Sequence, residues 1–416
     1  MAGPAADGPS VVLAGALDTK ADEYGFIRDR LASAGVPTVL LDTGVLGSPG
    51  IRPDVDRRTV AAAAGADLDA LAAAHDRNDA MVAMARGAAS LVQGLYDQGR
   101  VSGVMMLGGS NAGFVMSQVA AALPIGCPKV LVSTVVAGDT RPYVGTSDLT
   151  MMYPVVDIAG LNSISVGILA RAADACAGMV LGAPPSERFG SAPAIACSMF
   201  GVTTACVDAV RDSLTALGNE VQVFHANGTG GRSLEAMVRS GFFAAVVDVT
   251  TTELADELVG GVCSAGPHRL EAAGERGVPQ VVSVGALDMV NFGAPATIPS
   301  RFAGRLMHAH NPAVTLMRTS AAECAELGAV LAGKVNRATG PVEVHVPTRG
   351  FSQMSVEGAP FYDPEADAAL VGALASSLDS RIPLHLHEAA INDPRFAIEL
   401  VSALQRTISI TKGNAA

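Results

Sequence analysis

The chain has 416 residues, 49% of them hydrophobic and only 16% charged. That length predicts two or three domains, and that composition supplies apolar surface for large cores and excludes an extensively disordered chain. A formal net charge of −12 excludes a nucleic-acid backbone as the default partner, because phosphate binding wants a basic face.

The N-terminal MAGPAADGPS has neither a basic region nor an apolar core, and no run of about 18 apolar residues escapes polar interruption. No signal peptide or membrane span is therefore expected. The scattered cysteines 127, 176, 197, 206, 263 and 324 form no CxxC pair and read as reduced core thiols, so the cytoplasm is the expected compartment.

The first predicted strand is VVLAGAL (11–17), followed by the turn Asp18-Thr19-Lys20, the helix ADEYGFIRDRLASAG and the strand PTVLLDTG (37–44). A long helical insertion is expected over 75–99. VSGVMMLGGSNAGFVMSQVAAAL (101–123) reads as strand, glycine turn and helix, and PKVLVSTVVAGD (128–139) as a further strand. LGAPPSERFGSAP (181–193) has no apolar period and marks a boundary, giving domains 1–187 and 188–416. The pattern then repeats. AIACSMFG (194–201) is followed by a helix and by EVQVFHANG (220–228), so Asp42 and His225 hold matching strand ends. FFAAVVDVTTTELADELVGGV (242–262) and PQVVSVGALD (279–288) echo the later elements. The tail beyond Arg381 reads as strand, turn and helix, with Asp393 as N-cap and Pro394 at the first helical position. Short apolar runs alternating with amphipathic helices predict βαβ units, hence an α/β protein with two doubly wound parallel-sheet domains.

Ligands of open parallel sheets collect beyond the carboxyl ends of the strands. Polar and glycine residues gather at those ends: Asp18-Thr19-Lys20, Gly108-Gly109-Ser110, Ser133-Thr134, Gly228-Thr229-Gly230-Gly231 and Thr250-Thr251-Thr252. Free helix N-terminal amides, close backbone approach at glycine and hydroxyl donors suit an anion. Several such turns suit a nucleotide or a phosphorylated or acidic metabolite. No P-loop and no dinucleotide fingerprint is present. Gly145-Thr146-Ser147-Asp148 is a further polar turn, where Asp148, with Asp139 and Asp157 as alternatives, is a candidate Mg²⁺ ligand. The pairs His308/His310 and His385/His387 would each point to one side of a strand, but no third ligand lies at zinc-site spacing. His225, Glu253, Asp288 and His310 form a candidate acid–base cluster in the second half.

The blocks GALDTKADEYGFIRDRL, YVGTSDLTMMYPVVDIAGLN, HANGTGGRSLE, TTTELADELVGGV, GALDMVNFG and NRATGPVEVHVP resemble an uncharacterised protein family. That family is typified by the N-terminal ATP-binding region of the tomato mosaic virus resistance protein. The likeness runs from about residue 11 to about residue 394. It implies two Rossmann-like domains, ATP binding with Mg²⁺ and a homodimer. One departure is the third-strand turn, where Asn111 and Phe114 replace smaller residues and are expected to narrow the pocket. The leading expectation is an ATP/Mg²⁺-binding enzyme acting on a small acidic metabolite in an interdomain cleft. A nucleotide-responsive module that contacts a protein partner through 75–99, and a nucleotide-free lyase or isomerase using the His/Glu/Asp cluster, are the alternatives.

Overall fold

A computed structural model describes residues 10–182 and 194–414, with side chains to 411. The proposed boundary at 181–193 lies almost wholly outside the described residues. The chain separates into two compact units, Met1–Ser186 and Glu187–Ala416.

The first unit runs β1 (Val11–Gly15), α1 (Ala21–Ser33), β2 (Thr38–Asp42), α2 (Arg57–Ala63), α3 (Leu68–Ala74), α4 (Arg77–Asp97), β3 (Gly103–Gly108) and α5 (Ser110–Ala122). It continues with β4 (Lys129–Ser133), α6 (Arg141–Val144), β5 (Thr150–Met152) and α7 (Ser163–Leu181). All pairings are parallel, in the order β2-β1-β3-β4-β5. Every residue of β1 is buried, because alternate side chains enter two different cores. Val11 and Leu13 pack with residues of α1 and α7, while Val12 and Ala14 pack with those of α2, α4 and α5. That is why the strand reads as a continuous apolar run rather than an alternation.

The stretch expected as an exposed insertion is α4, and its apolar stripe is committed to this core. Met84, Ala85, Ala88 and Val92 are fully buried. The side chain of Asp76 accepts the amides of Asn78 and Asp79 and starts the helix. Among the described residues α7 alone is long and apolar enough to cross a membrane by length and composition. Its Leu169, Ala172, Ala173 and Cys176 are buried against the sheet.

The second unit runs β6 (Ala194–Met199), α8 (Thr204–Ala216), β7 (Glu220–His225), α9 (Thr229–Arg239), β8 (Ala245–Thr250), α10 (Glu253–Val259), α11 (Ala272–Arg276) and β9 (Gln280–Gly285). Then follow β10 (Met289–Phe292), β11 (Met307–Asn311), β12 (Val314–Arg318), α12 (Ala321–Val335), β13 (Val342–Pro347), α13 (Pro364–Ser377), β14 (Leu384–His387) and α14 (Pro394–Asn414). The main sheet is parallel, in the order β14-β13-β9-β8-β6-β7. Read from its other edge, this repeats the strand order of the first unit with one strand added. The expected tail strand and helix are β14 and α14. They close this same sheet, with Phe396, Leu400 and Leu404 in its core. An antiparallel sheet, β10-β12-β11, is inserted after β9. Sequence reading did not foresee it, because its strands are short and separated by Gly- and Pro-rich segments.

Candidate functional site

In the first unit the chain leaves β1 toward β2 on one side and returns as β3 on the other. The carboxyl ends of β1 and β3 therefore flank the topological switch point where doubly wound sheets bind ligands. A cavity of about 260 Å³ lies there, lined by Gly15, Thr19, Lys20, Gly108, Gly109 and Ser110 among others. A second space of about 440 Å³ is lined by Asp18, Leu71 and His75, and shares Thr19, Thr43, Arg77 and Asn111 with the first. Together they fall within the range of about 300–1,000 Å³ usual for small-molecule sites.

The backbone shapes this cavity. Gly108 has φ +146, and a Cβ there would lie 2.9 Å from the Cβ of Ala112, so only glycine fits. Gly109 caps α5 with no side-chain hydrogen bond to the first turn. The leading amides of α5 are thus left without an internal side-chain acceptor beside the cavity. Lys20 and Arg77 add two cationic side chains to the wall. Lys20 Nζ also donates to the carbonyl of Ile158. Asn111 lines both spaces, whereas Phe114 is not among the lining residues. Asp42, at the end of β2, is not free to meet a ligand. It accepts from Arg57 Nε at 2.7 Å and from the amides of Gly44 and Leu17 at 2.9 and 3.2 Å.

The other first-domain candidates are placed differently. Ser133 is buried, and its hydroxyl donates to Gly109 O and accepts from the Val135 amide, each at 3.3 Å. A Cβ on Gly109 would lie 3.9 Å from Thr134 Oγ1, so Thr134 neighbours the turn. Gly145, Thr146, Ser147 and Asp148 belong to the segment that enters β5. Asp148, two residues before β5, lies at the amino edge of the parallel sheet, opposite the cavity. Asp148, the candidate Mg²⁺ ligand, is engaged there. It pairs with the buried Lys129 Nζ at 2.6 Å and accepts the Gly126 amide at 2.7 Å. Asp139 is exposed and tied to Arg141 at 2.7 Å, which lowers its pKa to about 2.

The second unit fills its corresponding switch point. Arg269, fully buried, donates to Asp248 through two contacts of 2.6 Å, to Glu253 at 2.6 Å and to Glu235 at 3.3 Å. Burial opposes its charge, but Asp248, Glu253 and Glu235 outweigh that and raise its pKa. Glu253 Oε1 accepts the amides of Gly228 and Gly231 at 2.7 and 3.0 Å. The Gly230 amide is taken by Asn227 Oδ1. The glycine turn expected to cradle an external anion therefore holds an internal one. Gly231 is required by it, since a Cβ would fall 2.1 Å from Glu253 Oε2. Thr250, Thr251 and Thr252 are fully buried. Thr250 bonds Thr203 and Thr251 donates to Ser283 O, so these hydroxyls face the interior.

Of the expected acid–base cluster, His225 and His310 line one cavity of about 600 Å³, together with Asn227, Cys263 and Asn291. Glu253 and Asp288 do not line it. Asp288 is fully buried, accepts from Ser352 Oγ at 2.7 Å and has its pKa raised by burial. His225 stacks on Phe200, ring centroids 5.4 Å apart. Behind Asn291 lies a carboxyl that sequence reasoning missed. Asp256 accepts from Asn291 Nδ2 at 2.7 Å and from the Cys263 amide at 3.0 Å. Burial pushes its pKa up to about 7 against those bonds. A polar Asn291 inside the strand run MVNF was the available signal.

Fold and geometry together define a protein of two doubly wound α/β domains whose first domain opens an amide-lined crevice at its switch point. Residues 9–185 match the N-terminal domain, and residues 192–408 the C-terminal domain, of an uncharacterised protein family (UPF0261), and the chain belongs to that family. A UPF0261 protein of Clostridium tetani is 45% identical over 395 residues, covering 95% of this chain and 98% of that one. The tomato (Solanum lycopersicum) ToMV resistance protein Tm-1(GCR237) is 43% identical over 333 residues, which is 79% of this chain but 44% of the tomato protein. The ToMV susceptible protein tm-1(GCR26) of the same plant is 37% identical over 424 residues, 97% of this chain and 56% of its own length.

Proposed function

We propose that the first domain binds ATP with Mg²⁺ in the crevice between β1 and β3, and that the chain is an enzyme acting on a small acidic metabolite. The observation that carries this reading is the uncapped start of α5 behind Gly108-Gly109, with Lys20 and Arg77 on the same wall. Helix-terminal amides and cations at a switch point suit a polyphosphate. Mg²⁺ commonly keeps water and phosphate oxygens as most of its ligands, so it needs little more than one carboxylate. Asp18, which lines the adjoining space and has one buried carboxylate oxygen without a partner, is the carboxylate best placed for it. Isothermal titration with ATP and with ADP, each with and without Mg²⁺, tests the reading. One saturable site per chain is expected, and no binding of either nucleotide in the presence of Mg²⁺ overturns it.

The metabolite is assigned to the second-domain cavity, where His225 and His310 are the titratable imidazoles and Asn227 and Asn291 the amide partners. That shared wall also favours a second reading, a lyase or isomerase that needs no nucleotide. Turnover by His225→Ala at the unaltered rate would remove both histidine-based assignments. A homodimer is the expected assembly, and light scattering on the purified chain checks it.

A further inference from the structure

The edge of the second sheet carries a group of side chains that line none of the three cavities. Glu343 and His345 lie two residues apart on β13 and so share one face. His385 and His387 do the same on β14, and His345 is directly opposite His385 in the parallel register. All four groups come together. His345 Nε2 is 3.2 Å and His385 Nε2 3.3 Å from the same oxygen, Glu343 Oε2. The ligand atoms of Glu343, His345 and His385 all lie within 4.8 Å of one another. His345 is fully buried and Glu343 nearly so, while the His385 side chain keeps 41% of its exposure.

We propose that Glu343, His345 and His385 form a binding site for a divalent first-row transition ion of the Zn²⁺ type. Zinc holds nitrogen and oxygen ligands at about 2.0–2.2 Å, so two ligands on a tetrahedral ion stand roughly 3.3 Å apart. The two imidazole-to-carboxylate spacings already match that separation. The half-exposed His385 ring is the one free to move and complete the set. Two imidazoles and one carboxylate form a donor set suited to such ions and leave a further position for water. His387 supplies the outer support that ligating histidines need. Its Nε2 is 3.0 Å from His345 Nδ1, so a proton on that Nδ1 donates to His387 and leaves the His345 Nε2 lone pair for the ion.

Two observations resist a purely structural account. His385 Nε2 is a buried atom that, although 3.3 Å from Glu343 Oε2, makes no well-directed hydrogen bond. The pairing of Glu343 with Arg406 Nη2 at 2.7 Å explains why a carboxylate is tolerated here, but not why three imidazoles stack beside it. Arg406 is 49% exposed and can turn outward when a cation takes the carboxylate oxygen. Sequence spacing gave the HxH pair on β14 but not its partners, because they come from a neighbouring strand about 40 residues earlier in the chain.

The full chain, freed of metal with EDTA and titrated with ZnCl₂, tests the site without reference to nucleotide. One equivalent is expected to bind and to raise the melting temperature of the second domain by several degrees. Co²⁺ in its place should give the visible absorption of a four- or five-coordinate ion. His385→Ala, on a half-exposed edge position that tolerates the change, should weaken binding by roughly 100-fold or more, since losing even an outer partner of a ligand costs about 10–100-fold. A double variant, His308→Ala with His310→Ala, should keep the full stoichiometry. Absence of stoichiometric binding, unchanged affinity in His385→Ala, or loss of binding in the double variant would each overturn the site.

Discussion

At the carboxyl ends of β1 and β3 the chain leaves a cavity walled by Gly108, Gly109 and Lys20. At the corresponding ends of β6 and β8 it packs Arg269, Asp248 and Glu253. Strand order is alike in the two places, and each holds a glycine-rich start of a helix, after β3 in the first unit and after β7 in the second. The difference is one carboxylate. Glu253 accepts from the amides of Gly228 and Gly231, and Arg269 balances its charge. No side chain caps α5 in the same way. A turn of bare amides therefore identifies a place where an anion belongs, and only the tertiary structure says whether that anion is the protein's own. The proposed nucleotide site rests on the half in which the protein does not supply one.

Removing Glu253 is the strongest way to break this comparison. Glu253→Ala leaves Arg269 with one fewer buried counter-charge and two turn amides without an acceptor. Breaking a buried pair by deleting one partner costs about 3–5 kcal/mol. Scanning calorimetry of the full chain should show the transition of the second domain lowered by many degrees while that of the first stays in place. A small or evenly shared loss would mean that the buried cluster does not organise the second crevice.

Asp256 sharpens the same contrast through pH. Its folded pKa, about 7, lies above the unfolded value near 3.8 because burial penalises the charged form. The stability it contributes is therefore fully present below the unfolded value and is lost as pH rises through about 7. A shift of this size amounts to about 4 kcal/mol at most. Asp256→Asn keeps Oδ1 for the backbone amides of Cys263 and Asn291, and a flip of the Asn291 side-chain amide, which now donates to Oδ2, lets the new N–H₂ donate to Asn291 Oδ1. The variant should flatten the fall in melting temperature between pH 4 and 7 and exceed the parent above pH 7. A parent whose second domain melts at the same temperature across that window would refute the assignment.

Lys20→Ala probes the first crevice directly. Loss of a charged hydrogen-bond donor to phosphate costs about 1.5–3 kcal/mol, roughly 10–100-fold in affinity. The ATP dissociation constant measured by calorimetry should rise by that factor, with the melting temperature of the first domain little changed. An unaltered constant would move the phosphates away from the α1 end of the cavity.

The sequence made parts of this legible for identifiable reasons. Strands such as VVLAG and helices such as ADEYGFIRDRLAS were visible because apolar run length and helical period are local properties. The turns were visible because glycine and threonine cluster where the chain leaves a strand. Which turn faced which was not visible. Glu253 stands more than 20 residues beyond the turn it fills, and in the run TTTE it read as an external site in its own right. Asp148 looked free because Lys129, its partner, sits at the start of a strand that otherwise reads as apolar. His345 was passed over for the opposite reason, as one of two polar residues in VEVHVP, Glu343 being the other, and the histidines that join them appear only when β13 and β14 pair.

The smallest expected effect is the most discriminating, because it asks the first crevice to imitate the second. Gly109 has an ordinary negative φ of −88, and a Cβ there meets nothing closer than Thr134 Oγ1 at 3.9 Å. Gly109→Asp therefore has room for its Cβ and places a carboxylate at the start of α5, as Glu253 does for α9. An N-cap carboxylate in place of glycine contributes a few tenths of a kcal/mol, and its attraction to the helix dipole about 0.3–1 kcal/mol more. The first domain should melt about 2–4 °C higher for each kcal/mol gained. The same substitution occupies the amides that the phosphates would use and repels them by charge, so ATP binding should fall as stability rises. A domain that becomes more stable yet binds ATP as before would show that the amides at the start of α5 do not hold the phosphates, and the contrast between the two crevices would then concern folding alone.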